Sequence, residues 1–403
     1  MQKEKITSVS TIREIKIEGS GIKSFDKKSF KNNSFRVYDG GLVGVQFFQG
    51  NIDEKEGYKK AEENLSLKRP YKFSLETGSR HRDKTEQEYS DRELMDIARE
   101  TLGHLKKHYP DFTFFGEVSA KKVTESMCNS LGLDYSNTDC IVNMLIQYKH
   151  KDSKDICDGD FSLGQRTFEM KKFTDMAENY LSNFTNNVEL PEELILQAQY
   201  YPYIGKFYEC LNAENLSLGT SLFSGKVGEK LFSDNFTLMH NVSDEATWFT
   251  PFYDGEGVVL PEDRFVYIEN GVVKAGFADK LTADKYGVPH TGSAGLNMAD
   301  IPFNGNVSFK VTPSDKTVKE LLGGRLTVVP VIAAGGDFND KGEYVTPVQK
   351  AFLCDGERFI GSLPEFSMRG SLFDFFGKDY IGVGSDKPVF NDYQMLAKMS
   401  YSK

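Results

Sequence analysis

Residues 12–19 (IREIKIEG) alternate apolar and polar positions, the two-residue period of a strand with one buried face. The segment SFRVYDGGLVGVQFFQG predicts strand, turn, strand, because Asp39-Gly40-Gly41 supplies the positive φ values that a tight hairpin turn requires. Asn51, with Glu54 three residues on, predicts an N-cap and a helix reaching about Leu65. Residues 66–90 are polar, charged and irregular. Ser90 and Glu93 then form a capping-box pattern ahead of DRELMDIARETLGHLKKHY, in which Leu94, Ile97, Ala98, Leu102 and Leu105 share one helical face until Pro110 ends it. Strands are predicted at 112–118 and 141–148, separated by the turn-rich SMCNSLGLDYSNTD, and a second helix at 171–184.

The pattern changes at Pro191. PEELILQAQYYPYIGKFYECLN predicts a helix interrupted at Pro202. Beyond it, short strands alternate with Gly, Asn and Pro almost to the end. The clearest pair is RFVYIENGVVKAGF, two strands joined by Asn270-Gly271. The chain therefore predicts an α+β protein: an N-terminal α/β domain of hairpins and helices over 1–188, and a mainly antiparallel C-terminal β domain over 189–403.

Composition narrows the class. With 39% hydrophobic, 27% charged and 13% aromatic residues, the 403-residue chain can build a real core. No stretch approaches the twenty apolar residues that span a bilayer, so no membrane association is expected. The first residues, MQKEKITSVSTIREIKIEG, carry charges but no apolar core of a secretory signal. Cys128, Cys140, Cys157, Cys210 and Cys354 contain no CxxC pair and are expected to be inert core thiols in a reducing cytoplasm. A net charge of −10, with no long basic run, argues against a nucleic-acid partner.

Candidate chemistry is sparse. His104 and His108 stand four apart on the predicted helix, as helical zinc sites begin, but Leu105 occupies the place where a peptidase helix needs Glu. Gly335-Gly336-Asp337-Phe338 reads as a turn between strands. Gly219, Gly225 and Gly228 do likewise, for want of a Walker Gly-Lys-Ser/Thr. Asp254, Glu256, Glu262 and Asp263 could bind a hard cation or raise one another's pKa, although a solvated loop is the expected form. From the residues alone no active site is legible, and no cofactor or metal is expected.

From about residue 30 onward the chain resembles the TldD/PmbA family, whose members are also called modulators of DNA gyrase. In order, the motifs are FRVYDGGLVGVQFFQGNIDEKEGYKKAEENL, GTSLFSGKVGEKLFSDNFTLMHN, DGEGVVLPEDRFVYIENGVVKAGFADKLTADKYG, PHTGSAG and GGDFNDKGEYVTPVQKAFLCDG. Agreement is weak over 66–190, and the longer opening helix of the family is missing or shortened. In the TldD branch a His-Glu-x-x-x-His helix precedes the Gly-Thr-Ser turn and a later Cys is thought to complete a zinc site; the PmbA (TldE) branch lacks both. Counting back from Gly219 puts the motif positions on Ile204, Gly205 and Glu209, none of which is the required residue, and SMRGSLFDFFGKDYIGVGSDKP carries no Cys. The resemblance implies a subunit inactive alone, paired with a TldD-like catalytic subunit or with itself as a dimer, and helping to bind unfolded peptide by strand addition. Two other readings stay open: an independent hydrolase with a site rebuilt from the acidic loop or from His240 and His290, and a protein that binds gyrase or nucleic acid.

Overall fold

The computed structural model describes residues 1–243, 247–335 and 337–402. Its first sheet is made of long hairpins: β1 (Gln2–Glu18), β2 (Gly21–Asp39), β3 (Leu42–Gln49) and β4 (Arg69–Pro70), then β5 (Gly78–Asp83), β6 (Phe112–Asn129), β7 (Leu133–His150) and β8 (Gly159–Gln165). The order is β4-β3-β2-β1-β6-β7-β5, with β8 pairing the far half of β7, and only β5 runs parallel to its neighbour. Eighteen residues of β7 extend about 60 Å. The expected turn between β2 and β3 forms, with Gly40 and Gly41 at φ +56° and +78°.

Three helices accompany this sheet: α1 (Glu54–Glu63), α2 (Asp91–His108) and α3 (Met170–Leu181). Helix α2 starts on the predicted Ser90/Glu93 capping box and buries Leu94, Ala98, Leu102 and Leu105, with Ile97 at the margin. It packs with Phe173, Ala177 and Tyr180 of α3 over Ile15, Val118 and Ile146 of the sheet. The same core takes in Val329, Phe352 and Phe359 from the later half of the chain, so the two halves share apolar contacts.

The later half contains β9 (Leu194–Gln199), α4 (Gly205–Cys210), α5 (Ala213–Leu218), β10 (Leu238–Asn241), β11 (Arg264–Glu269), β12 (Val272–Val273) and α6 (Lys280–Tyr286). It continues with β13 (Ala294–Gly295), β14 (Phe303–Asn304), β15 (Phe309–Val311), α7 (Val318–Leu322), β16 (Thr327–Ala333), β17 (Glu343–Cys354) and β18 (Phe359–Ser362). Last come β19 (Phe366–Ser371), α8 (Leu372–Phe375), β20 (Tyr380–Val383) and β21 (Gln394–Ser402). Strands β12-β11-β10-β15 form one sheet, with the predicted turn at Asn270-Gly271. The order β16-β9-β21-β19-β17 closes on itself because β17 also pairs β16, giving a small barrel. The fold is thus α+β with mainly antiparallel sheets.

Several expectations need correction. The N-cap of α1 is Asp53, whose Oδ1 accepts the Glu56 N–H at 3.1 Å, rather than Asn51. The stretch 126–139 is mostly strand: β6 and β7 continue to a tight turn at 130–132, and their half-exposed faces carry the polar residues that suggested a loop. Residues 66–90 hold β4 and β5. Of the helix predicted from Pro191, the part before Pro202 holds strand β9 and only the part after it forms a helix, α4. The Leu194-Ile195-Leu196 run of β9 is buried on both faces, since the barrel core takes Leu194 and Leu196 while Val318 and Leu322 of α7 cover Ile195. A run buried on both sides has no two-residue period to reveal it. Cys140, Cys210 and Cys354 are buried and Cys157 half-buried, but Cys128 is exposed near the end of β6, so it is not a core thiol. Gly219, Gly225 and Gly228 sit in turns with φ of 79°, 73° and 91°. Gly336, within the expected 335–338 turn, lies outside the described residues. Among the described residues no helix is long and apolar enough to cross a membrane.

Candidate functional site

Residues 200–212 hold the positions that the resemblance assigns to the metal motif. Strand β9 ends at Gln199, a turn through Pro202 reverses the chain, and α4 begins after Ile204, which caps it without a side-chain hydrogen bond. The helix is short because its inner face is captured at once. Phe207 and Cys210 are fully buried, and the Phe207 ring lies 5.0–5.8 Å from the rings of Phe223, Phe232, Phe236 and Phe376. Ile204, 2% exposed, faces the same core and offers no ligand atom. Gly205 has no side chain. Glu209 points outward, where its Oε2 accepts a hydrogen bond from Lys206 Nζ at 2.5 Å.

Lys206 was not singled out by its sequence. Its side chain is covered, and its ammonium lies between Glu209 and Asp340, the latter at 3.6 Å. Burial alone would lower the lysine pKa, but the hydrogen bond and charge of Glu209 outweigh it and the value is raised. Next to it, Tyr208 donates its hydroxyl to the Val307 carbonyl at 2.8 Å, and its ring lies tilted 4.5 Å from that of Phe309. The outer face of α4 is therefore filled by an ion pair and a tyrosine.

The acidic segment is not a solvated loop. Asp254, Glu256 and Asp263 are buried, and only Glu262 lies outside, bonded to Arg264. Asp254 accepts three backbone N–H groups, from Glu256 and Val258 at 2.9 Å and from Ala294 at 3.0 Å. Glu256 accepts the Tyr71 hydroxyl and the Lys280 N–H that opens α6, both at 3.0 Å. Arg36 of β2, 1% exposed, donates through Nη1 to Glu4 at 3.1 Å and to the Gly255 carbonyl at 3.2 Å. Arg80 of β5 grips Asp263 with two 2.6 Å bonds. These contacts latch the loop to the first sheet, and all its partners there lie far away in sequence. Burial pushes the Asp254 pKa up to about 6 against its backbone donors. Burial, and then the charge of Asp254, push Glu256 up to about 8.

The other candidates are scattered. His104 and His108 stack at 4.4 Å on α2, with Leu105 turned into the core. His240 is buried, its Nδ1 accepts the Ser308 N–H at 2.8 Å, and burial lowers its pKa to about 4. His290 is exposed. Among the described residues no group of three or more His, Cys, Asp or Glu side chains is placed to hold a metal ion.

A hairpin-rich α+β sheet is thus joined through a run of turns to a small barrel. Residues 202–396, just under half of the chain, match the PmbA/TldA metallopeptidase C-terminal domain, which relates that segment to the TldD/PmbA family. It is 21% identical to Uncharacterized protein MJ0231 of Methanocaldococcus jannaschii over 387 residues, 90% of this chain and 86% of that one. It is 27% identical to a Metalloprotease of Methanothermobacter thermautotrophicus over 176 residues, 43% of this chain and 38% of that one. Its fold matches the crystal structure of TldE from Thermococcus kodakarensis with a TM-score of 0.80 and 19% identity, covering 99% of this chain and 96% of that one.

Proposed function

We propose that this chain is a PmbA/TldE-like, non-catalytic subunit of a TldD-type zinc metallopeptidase system, contributing to peptide binding and processing. The observation that carries the reading is the chemistry of residues 204–209. A zinc peptidase helix needs two neutral imidazoles and a carboxylate beside the metal-bound water. At the motif positions stand a buried hydrocarbon, Ile204, a glycine, Gly205, and a carboxylate, Glu209, already bonded to Lys206. These residues do not fit zinc, and no catalytic step is routed through them.

In this role the partner is a TldD-like catalytic subunit or a second copy of the chain, the ligand is unfolded peptide held by strand addition, and the place of work is the cytoplasm. The same reading divides the chain into units 1–188 and 189–403, a division that limited proteolysis between α3 and β9 would check. Co-expression with a TldD-like protein tests the function. The expected result is a stable complex that cleaves unfolded peptide, no cleavage by this chain alone, and zinc only in the partner. Failure to form any complex would count against the role, and one zinc per isolated chain, lost on His240→Ala or His290→Ala, would overturn it.

A further inference from the structure

A cleft of about 350 Å³ opens at the seam between the first sheet and the barrel. Strand β8 and helix α3 wall one side, and β9, β16 and the Pro202–Tyr203 turn wall the other. It therefore abuts the entry to α4. The volume is in the range of small-ligand sites, which occur preferentially at such seams.

Three of its polar groups are unspent. Tyr180 is 4% exposed and lines the cleft, yet its hydroxyl makes no hydrogen bond to any described residue. Asp160, solvent-exposed on the face of β8 turned away from Phe161 and Leu163, forms neither a hydrogen bond nor an ion pair among the described residues. Gln199, at the end of β9, likewise has an unengaged side-chain amide. No Lys, Arg or His lines the space among the described residues, so nothing offsets the Asp160 carboxylate. Crowding holds that carboxyl above its ordinary pKa, and its charge acts on Tyr180 in turn. The rest of the lining is mixed: Ser162 and Asn391 are polar, and Phe161, Met176, Tyr203 and Phe390 supply aromatic and apolar walls.

A carboxylate without a cation, a tyrosine hydroxyl without a protein partner and aromatic walls are complementary to a positive ammonium on an aliphatic stem. We propose that this seam cleft binds an alkylammonium group, with Asp160 as the counter-ion and Tyr180 and Gln199 completing its hydrogen bonds. Whether the ammonium is a lysine side chain or the amino terminus of a peptide is the same chemistry from two sources. That it comes from peptide rests on the proposed peptide-binding role; that the cleft takes an ammonium does not.

Isothermal titration calorimetry on the full chain tests this with four probes: pentylamine, an N-acetylated Gly-Lys-Gly amide, a free-amino Leu-Gly-Gly amide, and an N-acetylated Gly-norleucine-Gly amide as neutral control. Pentylamine is expected to bind, and at least one ammonium-bearing tripeptide to bind about tenfold or more tightly than the control. The tripeptide that wins identifies the source. Asp160→Asn should remove that advantage with an unchanged melting temperature, because the side chain makes no bond in the fold. Tyr180→Phe, a second and milder variant, should weaken binding roughly threefold. Binding of pentylamine without either ammonium tripeptide would keep the cleft and remove its peptide ligand. Equal binding of the neutral control, affinity untouched by Asp160→Asn, or no binding of pentylamine would overturn the proposal.

Discussion

Lys206 and the Asp254–Glu256 pair both bury charge, and they meet the cost in opposite ways. On α4 a covered ammonium sits between two carboxylates, so Coulomb attraction offsets lost hydration and keeps the lysine a cation. In the loop, two carboxylates of like sign are enclosed together, and their compensation is backbone N–H groups and one tyrosine hydroxyl. Such an arrangement retains a proton instead of a partner. An acidic run in a sequence can therefore mean either a wet surface or a latch, and which one it is depends on donors supplied from elsewhere in the chain.

The contrast can be broken most forcefully by pH. The folded-state pKa of Glu256 is raised to about 8, so the folded protein holds a proton that the unfolded chain releases at ordinary carboxyl values. Stability should thus fall as pH rises from about 4.5 to about 8 and then level off, by on the order of 5 kcal/mol. Glu256→Gln should flatten most of that slope in melts taken from pH 5 to 9. The next effect is at Arg36. Arg36→Met leaves Glu4 buried without its cation and the Gly255 carbonyl without a donor, and should cost about 4 kcal/mol by urea denaturation. A loss below about 1 kcal/mol would mean that the latch carries little of the stability. The smallest effect belongs to α4. Because the Lys206 pKa is raised, its contribution is complete below the ordinary lysine range and is lost only as pH climbs through the raised value. Glu209→Gln should cost about 1 kcal/mol, equally at pH 5 and pH 9, and a cost that varied across this range would contradict the contrast.

Local signals were readable and distant ones were not. Asp39-Gly40-Gly41, Asn270-Gly271 and the Ser90/Glu93 box act within a few residues, and each forms as its sequence predicts. The continuous Leu194-Ile195-Leu196 run carries no period, and only its placement inside the barrel makes it a strand. Burial of Asp254 and Glu256 depends on Arg36 and Tyr71, nearly two hundred residues earlier, so no inspection of DGEGVV could reveal it. For the candidate site, the residues expected at the motif positions, Ile204, Gly205 and Glu209, were read through family resemblance. The i,i+3 spacing of Lys206 and Glu209 was visible too, but not the fact that Lys206 is covered. Asp160 and Tyr180 come together only because β8 and α3 meet the barrel, which no spacing encodes.

The barrel closure has a consequence for how the molecule is made. Strand β21 lies between β9 and β19, so the first strand of the barrel finds its antiparallel neighbour about two hundred residues later. Contacts of that sequence separation form slowly. Until Gln394–Ser402 has been synthesised, one edge of β9 has no mate and Leu194, Leu196 and Ala198 have no closed interior to enter. A growing chain on the ribosome therefore carries an adhesive, half-finished sheet for about half of its synthesis. Its yield in a cell should depend on what shields that edge before the last strand arrives.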